Sequence, residues 1–553
     1  MKSKIFITIF ILFLASRFLG FGQIYHQDEY KWAMIVNPVF GLQSESNHPP
    51  LVALLYSLTG EFFGYDKLRV LPIIFSFLTL LLVWLLTKKL YGEKAALWTT
   101  AILGLSAYNF IASLQIDIDG TLLPFFGLLL YYAVITFWEQ EARRDKIFWA
   151  SVALVATVGG FLTKLSFLLW LAAVASEYFL IYRPSWKIFK KAILGLAAII
   201  VVTSLGVWLI DLIFPVARVG RFLSYINNFS AFNFYSRNYF QVLFLTVKSL
   251  VLASPLLLGG YFLINKQNFK KYRFWLIFLL YNFLFYFIIF DFSSRTMERY
   301  LMFLIIPGAV IIGSAVADFF TGKKIKNLWL KILAVGLGWL AIDILIMKSA
   351  FKILPLNPKS AFLSQLKNFD FNFLIPITGG SGPVGFYAPV LLAVVIFSAS
   401  FGALLIFRLI KKENYKIGLI LIFLIGGIFY NIILDAEFLF GYFYGNVNYL
   451  AKQAVNYAVD NNEISQVVTY YDLGGYELNL SGKYQRRFYT DPAYEAKNQK
   501  LIPQEKNFYL VVDFPAIGGQ SFYWRHFNSC LIDKSWHDKK ISAYIFDCRQ
   551  AKN

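Results

Sequence analysis

Cysteine is almost missing from this chain. Cys530 and Cys548 are the only two in 553 residues, and both lie near the C-terminal end. No Cys/His spacing of the zinc type exists, which removes zinc-built folds from consideration. Charge is also scarce: Asp, Glu, Lys and Arg make up 15% of the residues, and they are lopsided, with 52 basic against 32 acidic groups and a formal net charge of +20. That excess does not point to nucleic acid, because the basic residues sit in short clusters and form no contiguous groove. No internal repeat is visible, which weakens a transporter assembled from inverted halves.

What fills the chain is hydrocarbon. Hydrophobic residues reach 58% and the mean hydropathy is +0.58, where a soluble chain has about half its residues apolar. Apolar runs of roughly 17–25 residues recur, the length that crosses a bilayer core. Thirteen spans are expected, at residues 5–22, 70–87, 95–113, 121–138, 147–162, 165–182, 192–214, 242–264, 274–290, 301–320, 328–347, 387–407 and 417–434. The N-terminal MKSKIFITIFILFLASRFLG has a basic start and an apolar core but no convincing cleavage site, so it reads as the first span. With Lys2 and Lys4 on the cytoplasmic side, short basic clusters such as Lys88-Lys89 and Arg143-Arg144 all fall inside. The chain is therefore expected to be a mainly α polytopic bundle in a prokaryotic plasma membrane, with its N-terminus cytoplasmic.

From about Asp435 the composition becomes that of a soluble domain. The stretches QVVTYY (466–471), FYLVVD (508–513) and ISAYIF (541–546) read as buried strands, and 449–459 as a helix. This divides the chain into a membrane domain, 1–434, and a small extracytoplasmic α/β domain, 435–553. In that compartment Cys530 and Cys548 are able to pair; the alternative is two separate buried thiols.

The polar groups on the expected outer face carry the chemistry. Asp28, Glu29, Asp117 and Asp119 are acidic; Lys164, Arg218, Arg221, Arg237, Arg295 and Arg299 are cations where the positive-inside rule disfavours them. Arginine forks phosphate oxygens and a carboxylate takes a proton from a nucleophile, so the set suits a phosphorylated substrate at the membrane boundary. Each has a plainer reading. Asp28 and Glu29 are also a solvated loop start, His48-Pro49-Pro50 a helix start, and Lys164 and Arg299 interfacial anchors. Asp117-Ile118-Asp119 has the form of a metal-binding DxD, yet Asp119 is also well placed to cap a span. A zinc site at His26, Asp28 and His48 is a weaker alternative.

Several of these residues fall into an ordered series. Asp28-Glu29 is followed by His48-Pro49-Pro50-Leu51, Leu68-Arg69-Val70-Leu71-Pro72, Leu90-Tyr91-Gly92, Asp119 at the opening of a span, and Gly160-Phe161-Leu162-Thr163-Lys164. The series resembles the GT-C membrane glycosyltransferases of the protein-mannosyltransferase and aminoarabinose-transferase type. Arg299-Tyr300-Leu301 with Pro307 is similar to a later RYLLP-like span of those enzymes. The resemblance implies an inverting sugar transfer from a polyprenyl-phosphate donor to a lipid, glycan or protein acceptor. It makes Asp28 the general base with Glu29 beside it, and Lys164, Arg237, Arg299 and Tyr300 the groups on the donor phosphate. His48, Asp117, Asp119 and Arg69 become substrate-binding or structural residues, with no resident metal assigned. The sequence departs from the family's TKG ending, since Leu165 follows Thr163-Lys164. An oligosaccharyltransferase-like enzyme, with a divalent cation and a pyrophosphate-linked donor, is the alternative within enzymes; a lipid or solute transporter and a membrane scaffold are the alternatives outside them.

Overall fold

The computed structural model describes residues 2–43, 50–182, 253–264, 269–289, 302–322, 326–354, 359–377, 384–490 and 492–550, with scattered positions between 190 and 250. His48, Arg218, Arg221, Arg237, Arg295, Arg299 and Tyr300 lie outside the described residues, as do parts of the expected spans at 192–214 and 242–264. The described chain is mostly helical and separates into two units.

The first unit holds residues 1–21, 32–253 and 257–324. Its helices are α1 (Lys2–Leu19), most of α2 (Asp28–Val36), α3 (Pro50–Phe63), α4 (Val70–Tyr91), α5 (Glu93–Gly104), α6 (Ala107–Ser113), α7 (Leu122–Glu139), α8 (Arg143–Thr163), α9 (Leu168–Tyr182), most of α10 (Pro255–Gly260), α11 (Arg273–Leu284) and α12 (Met302–Phe320). Among the described residues of the whole chain, six helices are long and apolar enough to cross a membrane. Three belong here, α4, α7 and α8, and the bent pair α5–α6 makes a further candidate. In lipid the helices gain little from burying apolar surface against one another, so close packing holds them together. Gly313 of α12 illustrates it: a Cβ there would lie 2.7 Å from the Cα of Thr99 on α5, so only glycine allows the two backbones so near.

The expected span at 95–113 is not one helix. It breaks after Gly104 and bends by 68° into α6. A break in apolar surroundings leaves carbonyls without partners, and Arg17 of α1 answers that need. Its Nη2 donates to the Gly104 carbonyl at 3.0 Å and its Nε to the Ser113 hydroxyl at 3.2 Å. The guanidinium is buried between the rings of Phe13 and Phe110, 3.8 and 4.4 Å from their centroids. The helix α3 is a second departure: a largely apolar stretch of fourteen residues, too short to have been read as a span, forms a helix beginning at Pro50, where proline's fixed φ suits a first turn.

The second unit holds residues 22–31, 254–256 and 325–553. Its spanning candidates are α13 (Leu328–Lys348), α15 (Val390–Leu409) and α16 (Glu413–Phe440). The long loop after α13 is structured: α14 (Lys359–Lys367) accompanies a three-stranded sheet of β1 (Lys352–Ile353), β2 (Phe373–Ile377) and β3 (Phe386–Pro389). The C-terminal part is a five-stranded mixed sheet ordered β5-β4-β6-β8-β7, from β4 (Val467–Tyr470), β5 (Tyr484–Phe488), β6 (Phe508–Val512), β7 (Leu531–Asp538) and β8 (Ile541–Asp547). Here β4 lies between β5 and β6 and runs parallel to both, whereas β8 is antiparallel to β6 and β7. The helices α17 (Val447–Asp460), α18 (Gly475–Leu480), α19 (Pro492–Leu501) and α20 (Phe522–Phe527) complete it. The three strands read from apolar runs are β4, β6 and β8, and the expected helix is α17. The strands β5 and β7 escaped because their sequences, YQRRF and LIDKSWHD, are polar, the first largely half-buried and the second mostly exposed, at the two edges of the sheet. Cys530 and Cys548 are joined in a disulfide.

Candidate active site

In the first unit the bend of α5–α6 sends the chain into a buried turn, residues 114–121, that carries both aspartates of the DxD. The turn is held from outside itself. Arg69, at the foot of α4, is buried and donates its Nε to the Leu114 carbonyl at 2.8 Å, and the Tyr56 hydroxyl of α3 donates to the Asp117 carbonyl at 3.0 Å.

Lys164 meets this turn. The helix α8 ends at Thr163, and Lys164 is extended (φ −162°, ψ 141°) before a 3-10 turn leads into α9. Its ammonium donates to both Asp119 carboxylate oxygens, at 2.6 and 2.7 Å. The aspartate side chain is 5% exposed and that of the lysine 18%. This corrects two plainer readings. Asp119 does not cap α7, whose N-cap residue is Thr121 and has no side-chain cap. Lys164 does not snorkel away; it is drawn to a carboxylate 45 residues distant in sequence. Leu165, standing where the motif ends in glycine, begins the 3-10 turn.

In the second unit the segment 22–31 leads into α2 and carries Asp28 and Glu29 in its first turn, where the helix dipole favours negative charge. Glu29 is fully buried. Asp28 keeps 27% of its side chain exposed and pairs with Lys31 at 2.5 Å, one turn on, so its carboxylate is both reachable and oriented. Gln27, at φ 48°, turns the chain into the helix.

This segment is fastened by the C-terminal sheet domain. The Ile24 amide donates to Asn448 Oδ1 at 2.9 Å, the Asn479 side-chain amide donates to the Tyr30 hydroxyl at 2.8 Å, and Tyr30 lies 5.4 Å, centroid to centroid, from Tyr484. Gly475 makes room for Tyr30, since a Cβ there would sit 3.1 Å from the ring. Burial raises the Tyr30 hydroxyl above its usual pKa, and the charge of Asp472 adds to the shift, so it remains a neutral group at working pH. Sequence reasoning missed Asn448, Asn479 and Tyr484. The available signal was an unusual density of Tyr and Asn in the C-terminal domain, which names no partner.

Among the described residues the three-ligand His/Cys/Asp/Glu cluster is His526, Cys530 and Cys548. Its two cysteines are consumed by the disulfide, so it offers no thiolates to a metal. Asp119 is engaged by Lys164, so the DxD pair would have to exchange that partner to take a cation.

The architecture defines a class: a polytopic membrane protein with a broken helix, a buried acid–lysine pair on the turn that follows it, and an acidic first loop bound to an α/β domain. Comparison with known proteins agrees with that class. Residues 47–210 match the family model described as dolichyl-phosphate-mannose-protein mannosyltransferase. The crystal structure of ArnT from Cupriavidus metallidurans in the apo state is 14% identical and superposes over 100% of both chains with a TM-score of 0.58. The structure of the same protein bound to undecaprenyl phosphate is similar over 99% of both chains, at 14% identity and a TM-score of 0.57. No curated protein matches significantly by sequence. The fold is thus that seen in ArnT, and the family match at 47–210 is in line with the resemblance read from the motif series.

Proposed function

We propose that the protein is an inverting glycosyltransferase that moves a sugar from a polyprenyl-phosphate donor to an acceptor on the extracytoplasmic face of a prokaryotic plasma membrane. The observation that carries the reading is the coincidence of the mannosyltransferase family match at 47–210 with the ArnT fold along the whole chain. ArnT itself has been seen with undecaprenyl phosphate, a lipid of the proposed donor class.

In this reading Asp28 is the general base. It takes the proton of an acceptor hydroxyl, the oxygen attacks the anomeric carbon, and the bond from that carbon to the phosphate oxygen breaks with inversion. The lipid phosphate leaves with the electron pair, and a cation near it lowers the barrier. Lys164, steered by Asp119, is the described residue suited to that charge; Arg237, Arg299 and Tyr300 are assigned the same task. Thirteen spans with a cytoplasmic N-terminus, and a soluble domain from 435 onward, would set Asp28 and the soluble domain on the outer side. The sugar is delivered by the lipid, so no further cofactor is assigned.

The test is Asp28→Asn in full-length protein, incubated with radiolabelled polyprenyl-phosphate monosaccharides and membrane acceptors. Transfer should fall by at least about a hundredfold, the scale of a lost general base, with the variant still extracted as a monodisperse species. Undiminished turnover would remove Asp28 from the mechanism.

A further inference from the structure

The soluble domain brings a set of tyrosines to one edge of its sheet. The strands β4, β5 and β6 are parallel, and because β5 and β6 flank β4 on opposite sides, the connections part at the carboxyl end of β4. That is where open α/β sheets gather their ligand-binding loops. Here the chain leaving β4 turns through two consecutive non-glycine residues in the left-handed region, Tyr471 (φ 54°) and Asp472 (φ 61°). The Tyr471 ring lies 4.8 Å from that of Tyr489, just past β5, and Tyr489 lies 5.1 Å from Tyr494 on α19. Exposure rises along the row: Tyr471 and Tyr489 are half-buried, and Tyr494 is 41% exposed.

Arg487 completes the edge. Its guanidinium stands 5.1 Å from the Tyr489 centroid, and Nη1 donates to Asp472 Oδ2 at 2.8 Å. Asp472, fully buried, also accepts from the Tyr484 hydroxyl at 2.7 Å, so the guanidinium is set in one orientation while 37% of its side chain stays exposed. The same Tyr484 ring packs on Tyr30, two residues from Asp28. The Tyr489 hydroxyl is raised by burial first and by the charge of Asp472 next, and the charge of Asp28 adds to the shift.

A row of aromatic faces with a fixed, partly open guanidinium matches the two sides of a pyranose. The C–H face is apolar and lies flat on a ring, and the hydroxyls accept from a planar fork of N–H donors. Resting on the glycosyl-transfer reading, we propose that Tyr489, Tyr494 and Arg487 form an acceptor-saccharide subsite, which carries a sugar hydroxyl toward Asp28. The acceptor is then a glycan or glycolipid, recognised through a sugar ring.

The experiment is saturation-transfer NMR on full-length protein in nanodiscs, with cellobiose and chitobiose as probes and a Ser/Thr-rich peptide as comparator. Saturation of the protein's aromatic protons should pass to at least one disaccharide and not to the peptide. Tyr494→Ala, at a site exposed enough to leave the fold intact, should weaken that binding about two- to tenfold, the range of one aromatic contact. Tyr494→Phe should restore it, Arg487→Gln should reduce it, and Tyr442→Ala, an exposed tyrosine outside the row, should not change it. Failure of both disaccharides to bind, binding indifferent to Tyr494 and Arg487, or preference for the peptide would each overturn the proposal. Because the readout is binding without donor, it can fail while transfer by the wild type succeeds, and it can succeed while transfer fails.

Discussion

Replacing Lys164 by Met should damage the fold as well as the chemistry, and the two effects can be separated. The ammonium touches both oxygens of Asp119, whose side chain is only 5% exposed, at 2.6 and 2.7 Å. At an effective dielectric of about 20, charges at such separations attract by about 6 kcal/mol. Desolvating both groups offsets most of that, so the intact pair adds little net stability. Removing one partner leaves a buried carboxylate uncompensated, which costs about 3–5 kcal/mol. Lys164→Met should therefore lower the unfolding free energy by about that amount, and Asp119→Asn with Lys164→Met together should recover most of it. Transfer should not recover in the double variant, because the cation proposed for the leaving phosphate is still missing. The assay is denaturant unfolding in detergent, followed by tryptophan fluorescence, alongside turnover of a polyprenyl-phosphate sugar. If Lys164→Met stays within about 1 kcal/mol of wild type, the pair behaves as a solvated surface bridge and the reasoning from burial is refuted. Turnover restored in the double variant would release Lys164 from any role on the phosphate.

Two further outcomes concern the soluble domain. His526 is half-buried against the rings of Tyr509 and Phe527, its Nε2 has no hydrogen-bond partner among the described residues, and burial lowers its pKa below the ordinary value of 6.5. A histidine with a depressed folded pKa is neutral when folded while the unfolded chain binds a proton, so its stabilising effect is present above pH 6.5 and is lost as the pH falls through and below that value; the stability of wild type should drop between neutral and mildly acidic pH, and that of His526→Phe should be flatter there. Replacing both Cys530 and Cys548 by Ser should cost about 3 kcal/mol, the loop-closure value for a cross-link 18 residues apart, and a reducing agent should reproduce the loss in wild type but not in the variant.

Where the physics is local, the sequence alone was enough. Apolar runs long enough to cross a bilayer named α4, α7, α8, α13, α15 and α16, because a helix in lipid satisfies its own backbone and needs only length and hydrophobicity. Buried strands were readable for the same reason: QVVTYY, FYLVVD and ISAYIF announce β4, β6 and β8 by composition, while YQRRF at the sheet edge does not announce β5. The motif series also named Asp28, Asp119 and Lys164 without any coordinates.

Partnership was decided only in three dimensions. Nothing near Lys164 in the chain says that it will hold Asp119, 45 residues earlier, and nothing near Gly104 says that Arg17, 87 residues earlier, will take its carbonyl. Tyr30 and Asn479 are 449 residues apart, yet their hydrogen bond helps fasten the segment that presents Asp28. Periodicity and composition report how one stretch meets its solvent. A buried charge or an unpaired carbonyl requires a partner, and the chain supplies it from whichever element the packing brings near.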